Sequence, residues 1–214
     1  MQNKQVKGFT LIELLIVIGI IAILATVVIL TLNPAELLRQ ARDSNRVSDL
    51  SNLQSAISFY LTDVSLPLGS NNLGMGDTAA CYVSLNTATT TPLNVGRCGG
   101  RFGSGTVTIA AINTVSSSSY RLVNGTGWIP INFGLISGGN APISILPVDP
   151  VQPNGTTSDA WGGNFYAYRL STSSGISFEI NAHLESSKFA SSSINDGGND
   201  PALLEVGTFP GLAL

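Results

Sequence analysis

The chain has 214 residues, a net charge of −3 and only 11% charged residues. A charge so near balance excludes a nucleic-acid binder that works through a basic surface, and no nucleic-acid partner is expected. The shortage of charge, against about 25% in soluble domains, points away from a cytosolic enzyme and toward an extracytoplasmic head dressed in Ser, Thr, Asn and Gly.

The first eight residues are short and polar, with Lys4 and Lys7 ahead of an apolar run. Between Phe9 and Leu30 only Thr10, Glu13 and Thr26 are neither apolar nor small. As a helix, Phe9 to Leu32 measures about 36 Å, enough for a hydrocarbon core of about 30 Å. Lysines before a span keep that end in the cytoplasm. The run is too long for a secretory signal, and Ala22 and Ala25 do not form a small-x-small exit. Glu13 is the anomaly. An ionisable residue on a membrane helix is costly and marks function, so it needs a partner.

The residues at the start of the run supply one reading. Gly8-Phe9-Thr10-Leu11-Ile12-Glu13, within GFTLIELLIVIGIIAILA, resembles the class III signal of type IV prepilins and type II secretion pseudopilins. That pattern is a short basic leader ending in Gly, a hydrophobic aromatic residue, a small polar one, two apolar ones and a Glu. The resemblance implies cleavage between Gly8 and Phe9 by a prepilin peptidase, then N-methylation of Phe9. It also implies pairing of Glu13 with an N-terminal amine, commonly a neighbouring subunit's, during filament assembly. Phe9 and Glu13 lie about 6 Å apart along a helix axis, so a pair within one chain stays open as well.

Pro34 predicts a kink or a plain break at the end of the apolar run. Helical periodicity resumes, with Leu50, Leu53, Ile57 and Tyr60/Leu61 on one stripe. The helix is expected to end near Asp63, before Leu66-Pro67-Leu68-Gly69. Arg39, Arg42 and Arg46 read as a solvated face, or as a cluster that meets lipid phosphates or acidic groups on neighbours. Residues 65–119 are loop-rich; Val107 to Ala110 read as a short strand or as part of a helix through Ile112. Cys81 and Cys98 lie in this region. No further ligands stand near them for a metal, so outside the cytoplasm a disulfide is favoured over two buried thiols, contributing about 3 kcal/mol in the chain-entropy model. Trp128 to Phe133 is an edge strand or an extended loop, because of Pro130. Asn164 to Leu170 and Ile176 to Ala182 alternate as strands, the second half-buried, joined by a hairpin loop at 171–175. Leu146-Pro147-Val148-Asp149-Pro150 with Asp159 to Tyr166 is similar to the approach to the sheet in major pseudopilins, and its implied role is structural.

The expected fold is therefore α+β: a long N-terminal helix, membrane-spanning in its first half, packed on a small antiparallel sheet head, pilin-like. Residues 1–8 form a cleaved leader, 9–32 the transmembrane and filament-core helix, 33–63 its amphipathic continuation, and 64–214 the extracytoplasmic head. Asp196, Asn199 and Asp200, in a glycine loop, are candidate calcium ligands with Glu205 in support; a solvent turn is the stronger reading, and no cofactor is required. Asn124-Gly125-Thr126 and Asn154-Gly155-Thr156 match glycosylation sequons, but Asn-Gly favours turns. His183 has no nucleophile and orienter beside it, so no enzyme is expected.

The expected function is a structural subunit of a type IV pilus-like filament. The alternatives are a type II secretion pseudopilin and a membrane-anchored binding domain that uses the same signal. Expected partners are copies of itself and other pilins, the prepilin peptidase and methyltransferase, the pilus or type II secretion machinery, and membrane lipid before assembly. The precursor is expected to cross the membrane once, N-terminus inside, and to reach the cell surface in a filament.

Overall fold

A computed structural model of the chain describes residues 8–65, 74–78, 80–84, 111–113, 118–151, 164–172 and 175–211. The chain divides into two compact units, Met1–Arg39 and Gln40–Leu214.

In the first unit, α1 spans Leu11–Leu32. It rises about 33 Å, and its stretch Leu11–Ile29 is long and apolar enough to cross a membrane. Its described side chains are exposed on every face. A helix apolar all round needs lipid or other protein about it. Its threonines are made compatible with such surroundings by bonding back along the helix. The Thr26 hydroxyl donates to the carbonyl of Ala22 at 2.9 Å, and that of Thr31 to Val27 at 3.1 Å. At Pro34 the helix breaks rather than bending as one rod. A residue before proline is pushed out of the right-handed helical region, and Asn33 takes φ 40°, the left-handed conformation Asn tolerates. Its carbonyl then accepts from Glu36 N–H at 3.0 Å and starts α2, Pro34–Asp63. Pro34 sits at the first helical position, where a missing N–H costs nothing.

In the second unit, the later part of α2 packs on a sheet. Leu50, Leu53, Ala56, Ile57 and Tyr60 are buried at helical spacing, and the helix ends at Asp63 as the stop signals predict. The strands are β1 (Ala80–Val83), β2 (Ala111–Asn113), β3 (Tyr166–Ser171), β4 (Ser177–His183) and β5 (Leu203–Gly207). Their order is β2-β1-β3-β4-β5. Four strands are antiparallel neighbours, and β2 joins β1 in parallel. A short helix, α3, covers Ala190–Ile194. The hairpin expected between the two C-terminal strands is present, closing at Ser171 opposite Ser177. Ala111 and Ile112 are strand residues, while Val107 to Ala110 lie outside the described residues.

Register assigns the two faces of the sheet. Tyr168 stands between Tyr82 and Ile180, and Ile180 opposite Val206. These residues, with Tyr166, Phe178 and Leu204, share one core with the α2 stripe and with Trp128, Ile129, Ile131 and Phe133. That last segment is an extended loop running into a 3-10 turn at Phe133–Leu135, held by an Asn124–Asn132 bridge and by Trp128 N–H donating to the Tyr120 carbonyl at 2.8 Å. The Trp128 indole donates to the Pro147 carbonyl at 3.0 Å. Alternation in β4 predicts a half-buried strand, but both of its faces are closed. Glu179 and Asn181 are fully buried on the second face, where the Asn181 amide donates to Glu179 at 3.0 Å. Arg169 faces Glu179 across the strands and is buried too. The Arg169 Nε and Nη1 have no hydrogen-bond partner among the described residues, so the opposing charge of Glu179 offsets their loss of water only in part.

Candidate functional site

The first candidate lies where α1 begins. Gly8, Phe9 and Thr10 precede the helix and are exposed, Phe9 at 85%. Thr10 is the N-cap, with extended backbone at φ −82° and ψ 150°. Its hydroxyl oxygen accepts from Glu13 N–H at 3.3 Å. In return, Glu13 Oε2 accepts from Thr10 N–H at 2.9 Å and from the Thr10 hydroxyl at 2.7 Å. This is a capping box, which satisfies helix-end donors in both directions. The carboxylate out of place in an apolar run thus has a partner within its own chain. Thr-x-x-Glu before an apolar run is the sequence signature of this cap, a local signal for Thr10 that a search for a countercharge does not use.

The second lies in the head. Arg46 is fully buried, not part of a solvated face or a lipid contact. Its Nε and Nη2 donate to the two oxygens of Asp149 at 2.7 and 2.9 Å, a bidentate fork. Its Nη1 reaches Asp43 at 2.8 Å, and Nη2 lies 3.4 Å from Glu185. Arg42 Nε donates to Glu185 at 2.7 Å. Arg39, by contrast, is half exposed, 3.7 Å from Glu36, and such surface pairs contribute little. Asp43 also accepts from Glu185 N–H at 3.0 Å, Ser186 N–H at 2.7 Å and the Ser186 hydroxyl at 2.6 Å. One buried knot therefore ties α2 to the Leu146–Val151 loop and to the chain leaving β4. Beside it, the Tyr166 hydroxyl donates to Asp49 at 2.8 Å. The structural role implied for Asp149 has this content: it receives the arginine.

Burial and bonding set the protonation of these groups in opposite directions. Burial disfavours the charge on Asp43, but bonds from Ser186, Glu185 N–H and Arg46 outweigh it and hold the carboxyl below its ordinary value. Glu185 is likewise lowered, as Arg42 and Arg46 overcome its burial. Asp49 and Glu205 are raised, chiefly by burial. Depressed groups contribute stability that is present above the unfolded value, about 4, and lost as pH falls through the folded value. Raised groups contribute stability below their unfolded value and lose it as pH rises. Because the knot carries more bonds, the urea midpoint of the full chain in detergent is expected to fall between pH 6 and pH 3. In Ser186→Ala the fall should shrink, as Asp43 returns toward its ordinary value. A midpoint that climbs toward pH 3 would show that Asp49 and Glu205 dominate instead.

Cys81 is buried on β1 and disulfide-bonded; Cys98 lies outside the described residues. Asp196 accepts from Gly198 N–H at 2.8 Å and Glu205 N–H at 2.7 Å. Asp200 accepts from Ala202 N–H at 2.9 Å, and its own N–H donates to Glu205 at 2.9 Å. The glycine loop thus turns backbone N–H groups toward carboxylates. A Cβ on Gly198 would collide with Glu205, so the loop hugs that side chain. Asn199 is exposed. Among the described residues no three His, Cys, Asp or Glu side chains form a group able to hold a metal. Asn124 closes a turn, its Oδ1 accepting from Thr126 N–H at 3.2 Å, with Gly125 at φ 90°. Asn154 and Trp161 lie outside the described residues, and His183 ends β4 opposite Leu203.

Residues 3–29 match the family model described as Prokaryotic N-terminal methylation motif. The chain therefore carries the class III signal of type IV pilins and pseudopilins, placed across the Gly8–Phe9 step and the capping box. No curated protein and no solved structure matches the chain.

Proposed function

We propose that this chain is the precursor of a structural, non-catalytic subunit of a type IV pilus-like filament. A prepilin peptidase removes residues 1–8, Phe9 is N-methylated, and the subunit assembles through α1 with further copies and other pilins. The observation that carries this reading is the matched motif, whose Gly8–Phe9 step lies exposed and non-helical ahead of a capped helix apolar on all faces. In the precursor, lipid surrounds that helix, with the N-terminus in the cytoplasm and the head outside. In the filament, the helices of neighbouring copies replace lipid. Hydrolysis creates an amine on Phe9 close to Glu13, and an anion in low dielectric gains most from a nearby cation.

The test is mass spectrometry of the protein from cells, joined to electron microscopy of the surface. The expected mature chain begins at methylated Phe9, and Gly8→Leu should abolish its formation, because the added side chain closes the approach to the scissile carbonyl. Mature protein starting at Phe9 in Gly8→Leu would sink the peptidase assignment. Long surface filaments that contain the chain support the pilus; a secretion defect without such filaments would replace it by the pseudopilus.

A further inference from the structure

We infer that Thr10 is a positioning residue for leader removal: by capping α1 it keeps the Gly8–Phe9 peptide outside the helix, extended and open to the peptidase. The inference rests on the prepilin reading above. Hydrolysis at this bond adds water, leaving a carboxyl on Gly8 and an amine on Phe9. An enzyme must reach the carbonyl carbon and deliver a proton to the departing nitrogen. A peptide inside a helix offers neither freely. Its carbonyl points along the axis into the hydrogen-bond ladder, and side chains crowd the flank.

The capping box marks where α1 starts, at Leu11. Phe9 has ordinary helix propensity and would not end a helix by itself. In lipid an unsatisfied N–H costs several kcal/mol, so an uncapped α1 gains by winding back through Phe9 toward Gly8. Thr10 removes that incentive at one position. Its oxygen takes the Glu13 N–H, its own N–H and hydroxyl are taken by Glu13 Oε2, and its backbone stays extended. One residue upstream, Phe9 lies outside the helix, and beyond the chain neighbours no atom lies within 4 Å of where a Cβ on Gly8 would stand. Both bonds from Thr10 enter Oε2 alone, so the cap holds Glu13 by one oxygen.

The experiment uses the full-length precursor in membrane vesicles with a prepilin peptidase, following leader loss below saturation. Thr10→Val keeps the shape and removes every side-chain hydrogen bond. It should slow cleavage about 5- to 30-fold, the rate equivalent of a lost N-cap. Thr10→Ser and Thr10→Asn, both good caps, should stay within about threefold of wild type. Cleavage of Thr10→Val at the wild-type rate overturns the inference. So does slow cleavage of all three variants, which would mean that the peptidase reads threonine itself and not the cap. A wild-type precursor that is never cut overturns the prepilin reading, a result distinct from either.

Discussion

Replacing Arg46 by Met is expected to destabilise the head by about 3–5 kcal/mol, the range for removing one partner from a buried ion cluster. The reason is what stays behind. Asp149 would lose both arms of its fork, Asp43 a bond of 2.8 Å, and Glu185 a near neighbour. Asp43 retains Ser186 and backbone donors, whereas among the described residues Asp149 retains the Val151 N–H at 2.8 Å alone. Most of the loss should therefore sit on Asp149. Arg46→Lys should fall between, since an ammonium cannot reproduce a planar fork. Combining Arg46→Met with Asp149→Leu should recover part of the loss, because no orphaned carboxylate remains there. Denaturant unfolding of the full chain in detergent, followed by the fluorescence of buried Trp128, measures all three. A loss below about 1 kcal/mol in Arg46→Met would place the cluster with weak surface pairs.

That cluster also marks where the sequence stops being legible. Arg42 and Arg46 are four residues apart and, read along a helix, look like mutual repulsion on a wet face. Their answering carboxylates stand far along the chain: Asp149 is 103 residues from Arg46, and Glu185 is 143 residues from Arg42. Nothing in local spacing reports a partner at such range. The α2 stripe was legible because burial there follows a period of 3.6, and the β3–β4 hairpin because its apolar residues alternate along each strand. The same rule misread the polar face of β4, since period 2 marks which side chains share a face and not whether water reaches them. The parallel addition of β2 to β1 likewise follows from tertiary placement rather than composition. The glycine loop reads more strongly as a turn than as a cation site, and in it Asp196 and Asp200 accept from backbone N–H groups that the folded loop turns toward them. Thr10 is the opposite case, for its signal was local. A search for a cation beside Glu13 passes it over, since Glu13 is also a hydrogen-bond acceptor in need of a donor.

Those two properties of Glu13 can be separated, and Glu13→Gln is expected to do so. The amide oxygen of Gln still accepts from Thr10, since the capping box admits Glu or Gln at this position. Leader cleavage should therefore proceed within about threefold of the wild-type rate, by the logic of a retained cap. The negative charge is gone. After cleavage the amine of Phe9 has no anion to meet in a helix-packed, low-dielectric core, at a cost of about 3 kcal/mol or more. Filament yield should drop at least about 100-fold by that figure, while mature, methylated subunit accumulates in the membrane. Thr10→Val should show the reverse: slow maturation, then normal filaments from whatever is cut, because its Glu13 keeps both charge and position on the helix. Wild-type filament yield from Glu13→Gln would mean that α1 packing sets the register without a charge pair. Failure of Glu13→Gln to mature would mean that the peptidase needs the carboxylate itself. The contrast between the two variants assigns one oxygen-donor pair to cutting the chain and one charge to joining it.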